Sequence, residues 1–180
     1  MSDRAMGSHQ SANSDSTKWL TPPFILEELG PFDLDPCAPI DRPWEMADNH
    51  YTEVDDGLSE YWYGRIWCNP PYGREAVKWL NKLSQHGDGI ALIFARTETQ
   101  MFFDQVWEKA DGLLFIDGRL YFHKPDGRRA ENNSGAPSVL VSYGVDNSKC
   151  LKDCNIPGAF IPSWSITGRQ SKSWKNVEEV

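Results

Sequence analysis

The sequence lacks any run of eighteen apolar residues and has only four cysteines among its 180 residues. Without such a run there is no candidate transmembrane helix, and the first eighteen residues lack the apolar core of a signal peptide. The cysteines, at positions 37, 68, 150 and 154, do not have the paired spacing of a zinc site. We interpret them as reduced structural thiols, and we expect an intracellular protein with no bound metal and no membrane partner.

Positive charge is scarce in one part of the chain. The net charge is −8, and residues 27–60 contain eleven acidic residues against a single basic one, Arg42. Residues 119–129 have the opposite balance, with four basic residues against Asp126. Because charge is distributed so unevenly, the acidic total does not exclude binding of a polyanion at one edge of the protein.

The composition is that of one folded domain. A chain of this length can bury a substantial core, and 39% hydrophobic residues with eight tryptophans exclude a wholly disordered protein. Residues 1–18 are rich in Ser, Asp and Asn, which predicts a flexible N-terminal tail. We expect the domain to span residues 19–165, with a C-terminal tail at 166–180 and no internal repeat.

Hydrophobic periodicity predicts alternating strands and helices. The predicted helices are residues 24–29, 75–84 and 99–110, and the predicted strands are 32–35, 65–68, 89–95, 113–116, 119–122 and 138–143. Asp117-Gly118 predicts a hairpin or a β-bulge where two of these strands meet. Residues 37–63 have no clear period, and a loop of that length usually carries function. This order predicts an α/β fold whose mainly parallel sheet has an antiparallel edge hairpin.

The sharpest chemical motif is Asn69-Pro70-Pro71-Tyr72, directly after a predicted buried strand. The Asn69 amide oxygen can accept a hydrogen bond from an amine, and Pro70 fixes the chain so that neighbouring carbonyls can face the same amine. The Tyr72 ring offers a face for stacking. Such a site would hold an adenine-like ring and leave its amino nitrogen free to attack a methyl donor. The alternative is a tight turn with a buried tyrosine, which the position at a strand end disfavours.

Three further motifs are ambiguous when each is taken alone. Asp35 precedes Pro36 at the carboxyl end of the first strand, where its carboxylate suits ribose hydroxyls or an ammonium group, although it is also an ordinary acidic turn. Residues 19–23 predict a helix start whose amides can hold a carboxylate or are simply capped. In residues 51–58 an aspartate can accept from the amino group of a cofactor or remain a solvated surface charge.

Taken together and in order, these motifs resemble the phage and prophage DNA N6-adenine methyltransferases of the Dam-like family. The resemblance covers residues 19–144. The matching segments are Trp19-Leu20-Thr21-Pro22, Phe32-Asp33-Leu34-Asp35, Tyr51-Thr52-Glu53, Asp56-Gly57-Leu58 and Asn69-Pro70-Pro71-Tyr72, followed by Ala95-Arg96-Thr97-Glu98-Thr99, Phe102-Phe103, Gly118-Arg119-Leu120, Phe122 and Ala136-Pro137-Ser138. Glutamine-modifying and other amino-methyltransferases share the Asn-Pro-Pro-Tyr block, whereas the full series is far more specific.

The resemblance implies a compact Rossmann-like, S-adenosylmethionine-dependent enzyme that methylates N6 of a flipped adenine in double-stranded DNA. It implies catalytic roles for Asn69, Pro70, Pro71 and Tyr72, and cofactor contacts for Trp19, Thr21, Pro22, Asp35, Pro36 and Asp56. In one departure, Pro36-Cys37-Ala38-Pro39 replaces the Gly-rich turn that many methyltransferases have after the first strand. We expect a site-specific monomer, encoded by a phage or prophage and located in the cytoplasm of a bacterial host.

DNA contacts are expected from loops, because no separate target-recognition domain is obvious. Arg119, Lys124, Arg128 and Arg129 are the predicted phosphate contacts, with a solvated polar loop as the alternative. Two other functions stay open. One is methyl transfer to an RNA adenine or a protein glutamine, and the other is a non-catalytic DNA- or protein-binding module on the same scaffold, against which the intact Asn69 and Tyr72 speak.

Overall fold

A computed structural model describes residues 19–162 and 164–166. The predicted tails at 1–18 and 166–180 lie outside these described residues, except for Ile166. The strands are β1 (Leu34–Asp35), β2 (Asn49–His50), β3 (Ile66–Cys68), β4 (Gly89–Phe94), β5 (Gly112–Ile116), β6 (Ser138–Tyr143) and β7 (Gly158–Ile161). The helices are α1 (Pro23–Leu29), α2 (Ala76–His86), α3 (Gln100–Phe102), which continues into a π-helical segment (Phe103–Trp107), and α4 (Val145–Asp153).

The seven strands form one sheet in the order β2-β1-β3-β4-β6-β5-β7. β1 is parallel to β2 and β3, and β3 is parallel to β4. β6 lies antiparallel between β4 and β5, and β7 is antiparallel to β5. Because β1, β3 and β4 run in the same direction, their carboxyl ends meet at one edge of the sheet. Residues that directly follow these strands are therefore neighbours in space.

Helices cover both faces of the sheet. Successive side chains of a strand point to opposite faces, and the residues of β4 accordingly alternate between two buried clusters. Ile90 and Leu92 belong to a cluster with α1 and α4, whereas Ala91 and Ile93 belong to a cluster with α2 and the π-helical segment. The near-continuous apolar run of β4 thus reflects burial on both faces, as predicted.

The prediction of a hairpin around Asp117-Gly118 is wrong. Residues 119–122 form no strand, and β5 pairs instead with β6 and β7. Gly118 has a φ of +77°, which turns the chain away from the sheet. Beyond it, Leu120 and Phe122 are buried and their carbonyls accept from Ser134 and Ala130 in the same connection. Parallel pairing accounts for three of the six strand pairings, so the sheet is less parallel than predicted.

Three elements have no signal in the sequence. β2 is only two residues long, α4 buries only Asn147 and Leu151, and β7 is exposed or half-buried along its length. β2 and α4 have too few apolar residues to show a period, and β7 has only four residues, which is too short to show one. The predicted helix at 99–110 forms with an irregular hydrogen-bond pattern as α3 and the π-helical segment. No helix among the described residues is long and apolar enough to cross a membrane.

Candidate active site

A cleft of about 380 Å³ opens where β1 and β3 end. Four segments that are far apart in the sequence form its walls. They are Trp19, residues 36–40 after β1, residues 52–53 and 56–58, and residues 69–72 after β3. Glu75, which directly precedes α2, and Trp79 of α2 also line the cleft. The carboxyl edge of parallel strands is where α/β sheets bind ligands, which makes this cleft the candidate active site.

Asn69 presents an unsatisfied acceptor at the cleft. Its Nδ2 donates to the backbone carbonyl of Trp19 at 3.0 Å, which fixes the orientation of the amide. Its Oδ1 is buried and has no hydrogen-bond partner among the described residues. Buried acceptors are nearly always paired, because leaving one unpaired costs about 1–3 kcal/mol. The arrangement therefore suits a ligand that donates a hydrogen bond, such as an amine.

The Tyr72 ring is packed on one side and open on the other. It stacks on Phe94 with ring centroids 4.3 Å apart and planes inclined by 5°, and the Phe122 ring meets it edge-on at 6.2 Å. Tyr72 is nevertheless 37% exposed and lines the cleft. Desolvation raises the pKa of its hydroxyl, so the phenol stays neutral at physiological pH. The ring can offer a stacking face to a planar ligand.

A small cavity of about 20 Å³ adjoins the cleft and is lined by Thr21, Asp35 and Asn69, among others. Asp35 is 2% exposed, and its Oδ1 accepts from the backbone N–H of Cys37 at 3.0 Å. Burial raises the pKa of Asp35 to about 7, although the Cys37 hydrogen bonds and the charge of Arg42 oppose that shift. Thr21 Oγ1 is buried without a partner in the described part of the chain. The cavity therefore gathers polar groups whose bonding capacity is incompletely used.

Close packing of two loops forms one wall of the cleft. A Cβ at Gly57 would overlap the carbonyl oxygen of Pro36, so only glycine permits this approach. The preceding residue, Asp56, has a φ of +52°, and its carboxylate accepts from Ser59 Oγ at 2.6 Å. Lys82 of α2 donates to the carbonyl of Leu58 at 2.7 Å. These contacts fix the loop that carries Asp56 against residue 36.

Two thiols lie beside the polar groups of the site. Cys37 Sγ lies 3.9 Å from Cys68 Sγ, and the hydrogen bond between the two thiols, followed by burial, raises the pKa of Cys37. All four cysteines are free in the structure. The described residues contain no group of three or more His, Cys, Asp or Glu side chains that could hold a metal ion.

Most of the predicted site residues meet in these two cavities. The cleft is lined by Trp19, Pro36, Asp56, Asn69, Pro70, Pro71 and Tyr72, and the small cavity by Trp19, Thr21, Asp35 and Asn69. Pro22 lines neither cavity and is buried at the start of α1. Ile40 and Trp79 also line the cleft but were not predicted from the sequence. Trp79 belongs to the apolar stripe of α2 and is therefore interpreted as a core residue from the sequence, whereas Ile40 lies in a loop with no clear apolar period.

The predicted DNA contacts lie outside the cleft, in the connection between β5 and β6. Arg128 forms an ion pair with Asp126 at 2.6 Å, and the Arg129 guanidinium lies 3.8 Å from the centre of the Tyr121 ring. Arg119 donates to the carbonyl of Ser134 at 3.2 Å. The backbone N–H of Lys124 donates to the carbonyl of Arg128.

Two backbone hydrogen bonds join this connection to the cleft wall. Leu20 N–H donates to the His123 carbonyl at 2.8 Å, and His123 N–H donates to the Leu20 carbonyl at 3.0 Å. The Trp19 carbonyl accepts from the Asn69 amide, so a short chain of contacts connects the segment of basic residues with Asn69.

One known protein family matches most of the chain. The family model described as DNA N-6-adenine-methyltransferase (Dam) matches residues 8–149. Comparisons with curated proteins and with solved structures gave no match.

Proposed function

The chain belongs to the DNA N-6-adenine-methyltransferase (Dam) family, and we propose that it transfers a methyl group from S-adenosylmethionine to N6 of a specific adenine in double-stranded DNA. The observation that carries this proposal is the buried, unpaired Oδ1 of Asn69 at the cleft, next to the stacking ring of Tyr72. We assign the activity to a Rossmann-like methyltransferase domain at residues 19–165.

The residues around the cleft suit S-adenosylmethionine. The ligand carries an ammonium group, ribose hydroxyls and an adenine amino group, all of which donate hydrogen bonds. The chain offers the buried, unpaired Thr21 Oγ1 together with the carboxylates of Asp35 and Asp56. We propose that these groups hold the cofactor with Trp19 and Pro36, and that Pro22 contributes by fixing Thr21 at the start of α1. When bound, the cofactor supplies a methyl group made electrophilic by its positively charged sulfur.

The chain's own residues orient the target base. A duplex hides the adenine amino group, so the base must leave the helix to reach the cleft. In the proposed complex, Asn69 Oδ1 and the Pro70 carbonyl accept the two amino hydrogens, Pro71 keeps the turn rigid, and the base stacks on Tyr72. The amino nitrogen then presents its lone pair to the methyl group. The new N–C bond would replace the C–S bond of the cofactor, S-adenosylhomocysteine would leave, and the nitrogen would release one proton to solvent. Holding the reacting atoms in this alignment can lower the barrier by several kcal/mol without a general base.

We propose that Arg119, Lys124, Arg128 and Arg129 contact the DNA phosphates. Their connection joins the cleft wall through the paired backbones of Leu20 and His123, which supports a position next to the site. The protein is strongly acidic over residues 27–60, so a duplex would approach at this basic connection.

Substitution of Asn69 tests the function and the site together. We expect the protein to transfer radiolabelled methyl groups from S-adenosylmethionine to duplex DNA, and Asn69→Ala to lower the rate by on the order of 100-fold or more. Cofactor affinity measured by calorimetry should stay within a few-fold. The alanine removes the acceptor for the target amine and the donor to the Trp19 carbonyl, but no group that we propose to contact the cofactor. Asn81→Ala is the matched control, since Asn81 is a half-buried asparagine of α2 that does not line the cleft.

Parallel reactions with RNA and with protein substrates test the alternatives. Label that enters only RNA or protein would contradict the proposed substrate. Wild-type turnover by a folded Asn69→Ala variant would instead contradict the proposed site.

A further inference from the structure

Two phenylalanines hold the Tyr72 ring from outside the cleft. Phe94 stacks on it in parallel at 4.3 Å, and Phe122 meets it edge-on with the ring planes at 82°. Tyr72 lines the cleft, but neither phenylalanine does. Since Phe94 covers one face of Tyr72, a planar ligand in the cleft has the other face on which to stack.

Phe94 belongs to a rigid part of the molecule. It is the last residue of β4, in register with Ser138 of β6. Its carbonyl accepts from Arg96 N–H at 2.8 Å, and the next residue, Ala95, donates to the Pro137 carbonyl at 2.8 Å. The Phe94 side chain packs against the buried cluster that contains Phe122. The position of the Phe94 ring is therefore set by the sheet and the core.

Tyr72, in contrast, lies in a turn that does little to orient its ring. It follows two prolines and precedes Gly73, whose φ is +111°. Within the described residues the Tyr72 hydroxyl has no hydrogen-bond partner, so packing alone orients the ring. A parallel contact with a fixed ring restricts that orientation far more than an aliphatic neighbour would.

We propose that Phe94 is a positioning residue for methyl transfer, which holds Tyr72 so that the target adenine stacks on the face turned to the cleft. This inference rests on the proposed function. Insertion of the base between Tyr72 and Phe94 is the competing geometry, and it would require the anchored Phe94 ring to move away from the core. An aromatic pair contributes enough free energy to change an equilibrium constant by about 2- to 12-fold. Loss of the stacking between Phe94 and Tyr72 should therefore change the rate measurably.

The test compares four variants in methyl transfer to plasmid DNA. We expect Phe94→Leu to lower kcat by about 5- to 10-fold, because the free energy of an aromatic pair corresponds to a change of about this size. The affinity for S-adenosylmethionine should change less than about twofold. Phe94→Tyr keeps the ring and should restore kcat to within about twofold of wild type. If Phe94→Leu fails to fold, Phe94→Met takes its place in the test and should show the same loss in kcat of about 5- to 10-fold. Phe115→Leu is the control, since Phe115 is a half-buried phenylalanine of β5 outside the cleft.

An independent readout follows the Tyr72 ring itself. In protein with isotope-labelled tyrosine rings, the Tyr72 signals, assigned with Tyr72→Phe, should move in Phe94→Leu and stay close to wild type in Phe94→Tyr and Phe115→Leu. Such a change in ring environment together with the kcat loss would support positioning.

The outcomes separate the two claims. If wild-type protein transfers methyl groups and Phe94→Leu matches Phe115→Leu in kcat, the inference fails and the proposed function stands. A faster Phe94→Leu variant would also overturn the inference, because it would mean that Phe94 occupies the position of the base. If wild-type protein transfers no methyl group to DNA, the proposed function fails and the inference fails with it.

Discussion

Asp35 is a carboxylic acid that the fold removes from water. It is 2% exposed, and burial raises its pKa to about 7 from an ordinary value of 3.8. In the folded protein Asp35 therefore keeps its proton up to about pH 7, whereas the unfolded chain releases it near pH 4. Between these two values the folded state binds more protons, so this residue lowers the free energy of unfolding as the pH rises from about 4 to about 7.

The variant Asp35→Asn should remove this pH dependence. Between pH 5 and pH 8 we expect the free energy of unfolding of the wild type to fall by about 2–3 kcal/mol relative to that of Asp35→Asn, on the basis of 1.36 kcal/mol per pH unit. Urea denaturation of both proteins at several pH values measures the difference. The comparison isolates Asp35 because other titrating groups, such as His50 and His123, are present in both proteins.

If the free energies of unfolding of the two proteins differ by a constant amount between pH 5 and pH 8, the Asp35 pKa is not raised. The Cys37 hydrogen bonds and the charge of Arg42 would then offset the effect of burial on the Asp35 pKa.

At the scale of secondary-structure elements, the connection between β5 and β6 contains the main basic cluster. Neutralising Lys124, Arg128 and Arg129 to glutamine should weaken DNA binding about equally for all sequences. It should also lower the slope of log affinity against log salt by about 0.9 for each phosphate that is no longer neutralised. Since Arg128 is already paired with Asp126, we expect its share to be the smallest. Titrations of duplex DNA at several salt concentrations measure the slope.

The double variant Lys149→Gln/Lys152→Gln is the matched control for this experiment. Both lysines are exposed on α4, which follows the carboxyl end of β6. Because β6 is antiparallel to β4, that end lies at the opposite edge of the sheet from the cleft. An unchanged salt slope in the triple variant, or an equal change in the control, would mean that this connection does not contact the phosphates.

The elements that could be predicted from the sequence are those with a strong apolar period. β4 and α2 have such periods because both bury several consecutive side chains or a stripe of them. β2, α4 and β7 could not be predicted, because their positions depend on partners elsewhere in the chain. The hairpin around Asp117-Gly118 was predicted wrongly because a local turn signal does not reveal that β7 occupies the edge of β5.

The candidate site was predictable where a motif determines its chemistry. Asn69 and Tyr72 follow a strand in a recognisable order, and the structure places both at the cleft. The contact between Tyr72 and Phe94 joins residues twenty-two positions apart, so no local pattern indicates it. The burial of Asp35 likewise depends on the packing of several segments and cannot be read from the residues around it.

At the scale of the whole molecule, the cleft connects segments between residues 19 and 79 that local contacts alone do not hold together. A ligand that binds all of them should stabilise the folded protein. At about a hundred times its dissociation constant, S-adenosylmethionine should add about 2.7 kcal/mol to the free energy of unfolding, which raises Tm by about 5–10 °C in a domain of this size. Thermal denaturation with and without the cofactor measures the shift.

Two variants make this prediction specific to the site. Asn69→Ala should keep most of the shift in Tm, because Asn69 is proposed to contact the target base. Asp35→Ala should reduce the shift, because Asp35 is proposed to bind the cofactor, and a hydrogen bond to a charged group contributes about 1.5–3 kcal/mol. No shift in the wild-type protein at saturating cofactor would contradict the assignment of the cleft.

Identification of the modified base tests the central claim most directly. Unmethylated plasmid DNA is incubated with the protein and with S-adenosylmethionine that carries a deuterated methyl group, then digested to nucleosides and analysed by mass spectrometry. We expect the deuterated methyl group in N6-methyldeoxyadenosine, and none above background with the Asn69→Ala variant. Deuterated methyl groups on cytosine, or none on any DNA base while the cofactor binds, would contradict the claim that this cleft methylates adenine in DNA.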